Sequence, residues 1–189
     1  VAAKGKPIII SSGMSTMGEV NEAISVITRV NNEVALLHCV STYPCEDENV
    51  NLKIITTLRN QFPQIVIGYS GHEKSGHVVS QAAATLGAKI VERHFTLDRT
   101  MKGPDHAASL EPHGFGFLVE GIRKVECAMG NGEKLIQNEE VPIREKLAKS
   151  IVALCDITVG TVITPAILTV KSPGTGIPAN LINQVIGRK

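Results

Sequence analysis

The sequence predicts an α/β chain built on a parallel sheet, and three features carry that prediction. Short β-branched apolar runs alternate four times with segments whose apolar residues recur at helical spacing. The runs are nearly continuous in apolar residues rather than alternating, the pattern of strands covered on both faces. Polar groups collect at the C-terminal end of every run, whereas the beginnings are bland. Four such units make up roughly half of the ~250 residues of a full (β/α)8 barrel, so they form either a small open sheet or half of a barrel.

The first predicted strand is Pro7 to Ser12. Its helix begins near Thr16, with Val20, Ala23, Ile24, Ile27 and Val30 on one face, and Thr16 with Glu19 makes a capping box. The second strand is Glu33 to Val40, followed by a helix carrying Leu52, Ile55, Leu58 and Phe62 that Pro63 stops. The third strand, Ile65 to Ser70, leads to a helix from about Ser75 through Leu86, capped by Gly87. The fourth strand is Ala88 to Phe95. The last helix of the series holds Phe115, Leu118, Val119, Ile122, Val125 and Met129 and closes at Gly130, with Gly114 and Gly116 weakening its first turns by about 1 kcal/mol each.

Residues 1–130 thus form one domain, and residues 131–149, polar and broken by Pro142, are read as a linker. Residues 150–189 are short β-rich pieces of a small second domain, with Thr164 and Pro165 as N-cap and first helical residue of one turn.

Composition narrows the function. The chain has 189 residues, 43% of them apolar, a net charge of +1 and no block of five or six like charges, which argues against a nucleic-acid or membrane surface as the main partner. Aromatic residues are only 3% and Trp is absent, which weakens any case for stacked bases. No apolar run reaches the ~18 residues of a membrane span. Cys39, Cys45, Cys127 and Cys155 show no C-x-x-C spacing, as expected of reduced thiols in a cytoplasmic protein. Val1 to Lys6 contain neither a signal-peptide core nor an initiating Met, so the true N-terminus is expected to be missing or processed away.

Ligands of parallel βα sheets bind beyond the C-terminal strand ends. Those ends carry Ser11 and Ser12, Ser41 and Tyr43, Ser70 and His72, and Glu92 and His94. Side chains two apart share a face, so His72 and His94 are expected on the same side of neighbouring strands about 4.8 Å apart. Two neutral imidazoles there suit a divalent cation with positions left for substrate oxygens, although a lone strand-end His is usually structural. A carboxylate at Glu92 is costly unless used or paired, and Arg93 or Lys89 could balance it. Cys39 and His38 are expected in the core; His77, His106 and His113 are expected to be solvated. Lys102 to His106 form either a plain loop or a lid carrying Asp105 over the mouth.

KPIIISSGM, LLHCVSTYP, GYSGHE and GAKIVERHFTLDRTMKGPDHAASLEP together resemble the sialic acid synthase family over nearly the whole chain. The tail from Ser150 resembles the start of the antifreeze-like (SAF) domain that closes these enzymes. The resemblance implies a (β/α)8 TIM barrel of which this chain holds strands five to eight. It implies condensation of phosphoenolpyruvate with N-acetylmannosamine, its 6-phosphate, or the precursor of a related nonulosonic acid. By the same resemblance His72 and His94 hold a divalent metal, Mn2+ or Mg2+, while Ser41 and Ser70 hydrogen-bond phosphoenolpyruvate and Ser11 belongs to the substrate-binding set. Tyr43 and Asp105 contact the sugar, and Glu92 and Asp105 take part in catalysis. In that mechanism the metal polarises the sugar aldehyde, the phosphoenolpyruvate methylene attacks it, water adds, and phosphate leaves. The family's phosphate-binding lysines fall before Val1. Where many bacterial members read Lys-Arg-Pro-Gly, with the Arg reaching the partner of a homodimer, this chain reads Lys171, Ser172, Pro173, Gly174. A metal-dependent aldolase or hydrolase and a sugar-binding module without chemistry are the competing readings.

Overall fold

β1 (Ile8–Ser11), β2 (Val34–Cys39), β3 (Val66–Gly71) and β4 (Val91–Arg93) pair in parallel, in sequence order, to give a curled half-barrel sheet. The computed structural model describes all of residues 1–189 and divides them into two units, Val1–Gly132 and Glu133–Lys189. In the first unit each strand is followed by a helix: α1 (Met17–Thr28), α2 (Lys53–Gln61), α3 (Val78–Thr85) and α4 (Pro112–Met129).

The core lies between the sheet and these helices. Val34, Leu36, Ile67 and Tyr69 meet Val20 and Ile24 of α1, Ile55 and Leu58 of α2, and Ala83 of α3. Each fully buried branched side chain in that layer contributes about 1.5–3 kcal/mol. The opposite face is open at its edges, where Ile9 is 58% and Val66 45% exposed. Gly68 is required on that face. A Cβ there would lie 2.6 Å from the Ile90 carbonyl oxygen and collide with Leu37, which folds over it and is fully buried.

The predicted helix starts and stops follow local chemistry. Thr16 accepts from the Glu19 amide while Glu19 Oε2 accepts from the Thr16 amide at 2.7 Å, so α1 begins with both halves of its capping box. α2 ends at Gln61, just before Phe62 and Pro63. α3 starts at Val78 rather than Ser75, because Gly76 stands in the left-handed region at φ 83°. Pro112 opens α4, and Gln81 of α3 donates to the Phe117 carbonyl at 3.0 Å in the space that Gly121 leaves.

β4 is shorter than the run Ala88 to Phe95. The Lys89 amide still bonds the Ile67 carbonyl and the Tyr69 amide the Ile90 carbonyl, but past Arg93 the chain turns to pair with its own loop through Phe95 and Leu110.

The second unit differs from expectation at its start. Residues 141–147 form a helix, α5 (Val141–Leu147), where a linker was expected. Pro142 sits in its first turn, where its missing N–H costs nothing, and Gln137 with Glu140 caps the turn before it. β5 (Ser150–Ala153) and β6 (Leu168–Lys171) pair antiparallel, a single turn Pro165–Ile167 follows Thr164, and a short α6 (Ile182–Val185) ends the unit. Ser172 donates to the Leu147 carbonyl at 3.1 Å, so its hydroxyl is engaged within the unit. No helix of the chain is long and apolar enough to cross a membrane.

Candidate functional site

Register decides which strand-end residues meet. Cys39, Ser70 and Glu92 stand side by side across β2, β3 and β4, on the face opposite the helices. Two residues on, the same parity brings Ser41, His72 and His94 to that face. The imidazoles of His72 and His94 are 5.1 Å apart, centroid to centroid, and inclined at 73°. Tyr43 covers them, its ring 4.2 Å from His72 and 5.6 Å from His94.

The two rings differ at Nδ1. His72 is buried, and its Nδ1 lies 2.8 Å from the Val40 carbonyl oxygen. A carbonyl can only accept, so Nδ1 carries the proton and Nε2 keeps its lone pair. His94 is one-third exposed, and its Nδ1 faces Asp105 Oδ2 at 3.8 Å, beyond hydrogen-bond reach but on the carboxylate side. A His whose second nitrogen faces a carbonyl or carboxylate is the usual arrangement of a metal ligand, so this donor set fits a divalent cation. No third His, Cys, Asp or Glu closes a cage around the pair.

Ser70, buried, donates to Glu92 Oε1 at 2.7 Å, and that bond accounts for the carboxylate on the open face. Arg93 does not balance Glu92: it points to the helix side and pairs with Glu73. Ser41 is half-buried with its hydroxyl 3.8 Å from Cys39 Sγ, which is itself 3.9 Å from His72 Nδ1. Gly13 is packed against both, since a Cβ there would lie 3.2 Å from Cys39 Sγ and collide with the Ser41 hydroxyl. Cys39 is buried as expected, but at the edge of the site rather than remote from it. Ser41 also lines a cavity of about 630 Å3 at the ends of β1 and β2. The two non-glycine residues with positive φ, Met14 and Asn51, line the same cavity. Ser11 is exposed at the end of β1, and no hydrogen bond joins it to the other candidates.

Asp105 is carried by a loop that is bonded to itself. Thr96 Oγ1 meets His106 Nδ1 at 2.7 Å, Arg99 donates to the Ala107 carbonyl, and Ser109 donates to the Asp105 carbonyl at 2.8 Å. His106 is therefore engaged with Thr96 rather than merely solvated. Asp98 of the same loop is held below the ordinary carboxylate range by the Thr100 hydroxyl and amide. His38 is buried as expected, with Nε2 2.6 Å from the Val50 carbonyl oxygen; burial pushes its pKa down, against that bond.

Sequence reasoning passed over Glu73, weighed Arg93 only as a partner for Glu92, and gave Tyr69 no role. All three lie on the helix side, where Tyr69 donates to Glu73 at 2.8 Å and burial, then the Glu73 charge, raises the Tyr69 pKa. A signal was available: Glu73 and Arg93 are each one residue from a site histidine, at the parity that faces the helices, where a charge must be paired.

The family model of the NeuB family matches residues 1–134, and that of the SAF domain matches residues 148–189. The N-acetylneuraminate-9-phosphate synthase of Homo sapiens is 44% identical over 189 residues, 100% of this chain and 52% of the relative. The N,N'-diacetyllegionaminic acid synthase of Campylobacter jejuni is 39% identical over 191 residues, 100% of this chain and 57% of the relative. The solved N-acetylneuraminic acid synthetase of Leptospira borgpetersenii, in complex with citrate, aligns with a TM-score of 0.68 and 34% identity over 77% of this chain and 52% of that one. The chain spans about half the length of the curated relatives it matches.

Proposed function

The chain belongs to the NeuB family, that of the sialic acid synthases, and ends in a SAF domain; from that premise we propose that it is the C-terminal part, barrel strands five to eight plus the SAF segment, of a cytoplasmic nonulosonic acid synthase. The substrates are phosphoenolpyruvate and N-acetylmannosamine, its 6-phosphate or a related amino sugar. The observation that carries this reading is the His72–His94 pair, 5.1 Å apart on one face of adjacent strand ends, in a chain whose relatives carry such synthase names.

In the reaction, the methylene carbon of phosphoenolpyruvate bonds to the sugar's aldehyde carbon. Water then adds to the former enol carbon and phosphate leaves. A divalent cation, Mn2+ or Mg2+, held by His72 and His94 would supply Lewis acidity toward a carbonyl oxygen. Val40 keeps His72 in the tautomer that offers Nε2. Tyr43 shields both rings from one side and presents its exposed edge to substrate. Ser70 orients Glu92, which accepts or returns a proton at the reacting oxygen, while Ser41 binds phosphoenolpyruvate, Ser11 lies with the substrate-binding residues and Asp105 binds the sugar. A homodimer that exchanges its SAF domains would need a substitute for the family's Arg, because Ser172 carries no charge.

The test is phosphate release by the full-length protein. Release should require both phosphoenolpyruvate and an N-acetylated amino sugar, stop on chelation, and be lost in His72→Ala and His94→Ala. Near wild-type turnover by either variant after chelation and Mn2+ readdition would refute the assignment.

A further inference from the structure

Behind the two histidines, on the opposite face of the same strand ends, lies a fully buried ion pair. His72 is followed by Glu73 and His94 is preceded by Arg93, so each site histidine adjoins one member of the pair. Both charged side chains are completely shielded from solvent. Arg93 Nη1 donates to the Glu73 carboxylate, to the Gly76 carbonyl at 2.7 Å and to Ser80 Oγ at 3.2 Å. Nη2 donates to the Glu73 carbonyl at 2.9 Å and the Ala108 carbonyl at 3.2 Å. The other carboxylate oxygen accepts from the Tyr69 hydroxyl. Arg93 Nε is the one buried side-chain polar atom without a partner.

The space for this network is also specific. Gly71 stands opposite Arg93 in register, and a Cβ there would lie 2.8 Å from the Tyr69 ring, 2.7 Å from Glu73 Oε2 and 3.2 Å from Arg93 Cδ. The fork of Arg93 therefore spans the end of β3, the start of α3 and the loop that carries Asp105. β4 has only three residues in register with β3, so the bonds of Arg93 add to a short ladder.

We infer that Arg93 and Glu73 are positioning residues: their buried pair on the helix side sets the spacing of His72 and His94 on the open side. The inference rests on the reading that the histidines hold a divalent ion, and it adds the device that keeps them at ion-binding distance. A planar guanidinium that bonds two strand ends at once fixes both translation and twist, which a lysine point charge does not. Alternation converts that into a fixed relation between the side chains one step away on the other face.

The experiment compares Arg93→Lys, Glu73→Gln and Tyr69→Phe with wild type in the full-length protein, reading Mn2+ affinity by EPR titration and the ring separation by crystallography without metal. Arg93→Lys and Glu73→Gln, with unchanged circular dichroism, should weaken Mn2+ binding about 10–100-fold. Tyr69→Phe, which removes one bond to Glu73, should weaken it about threefold. In metal-free Arg93→Lys crystals the rings should depart from their 5.1 Å separation. A folded Arg93→Lys that binds Mn2+ like wild type, or keeps the ring separation, overturns the inference. If wild type binds no Mn2+, the metal reading alone fails and the ring separation decides this one. If Arg93→Lys does not fold, Tyr69→Phe carries both readouts, and no change in either overturns it.

Discussion

The two faces of the sheet treat polar groups in opposite ways. On the helix side, Tyr69, Glu73, Ser80 and Arg93 are buried and bonded to one another. On the open side, Tyr43, Glu92 and Asp105 are exposed, and His72 and His94 each keep a ring nitrogen uncommitted. Glu73 and Arg93 are one residue from the histidines, so the contrast arises from alternation alone. A supporting network holds its shape when its donors are spent, as all but Arg93 Nε are here, whereas a site has capacity to bind because some are not.

The severest test of that contrast is the open face itself. Val1–Lys189 expressed alone should be inactive and self-associating, because β1 and β4 are unpaired edges and Ile9 and Val66 lie exposed. Supplying the preceding half as a separate chain should restore solubility and turnover together. A monomeric, active 189-residue chain by size-exclusion and phosphate assay would break the half-barrel reading.

The next largest effect belongs to the helix side. Arg93→Ala or Glu73→Ala leaves an uncompensated buried charge and should cost about 3–5 kcal/mol in urea unfolding. A cost below about 1 kcal/mol, the range of exposed pairs, would mean the pair is not buried in solution.

On the open side, Asp105→Asn should raise KM for the sugar about tenfold while leaving KM for phosphoenolpyruvate nearly unchanged, with little effect on stability. Equal shifts for both substrates would make the loop merely structural. Thr16→Ala removes half of the α1 capping box and should lower stability by about 1 kcal/mol without touching either KM.

The smallest effect is a pH dependence on the helix side. Burial lowers the His38 pKa, so between the ordinary value of about 6.5 and that lowered value the unfolded chain binds a proton that the folded chain does not. Stability therefore rises with pH through this window and is lost as pH falls through it. The wild-type urea midpoint should drop between pH 7 and pH 5 by more than that of His38→Gln, and equal drops would remove His38 from the account.

Much of this was legible in the order of residues. The alternation of apolar runs with helical spacing, the Thr16–Glu19 cap and the Gly87 and Gly130 stops are local, and local chemistry decides them. The meeting of His72 with His94 followed from parity and the adjacency of consecutive strands. Three things needed the tertiary structure. Pro142 opens α5, because a proline in a first turn and one that breaks a helix look alike until the neighbouring cap is known. Ser70, rather than Arg93 or Lys89, takes Glu92, and Glu73 takes Arg93, because partner choice depends on which face each side chain reaches. The bonding of His106 to Thr96 was likewise hidden, since the loop closes over a span with no periodic pattern. Sequence periodicity determines which face a side chain occupies; distances across that face exist only once strands are in register.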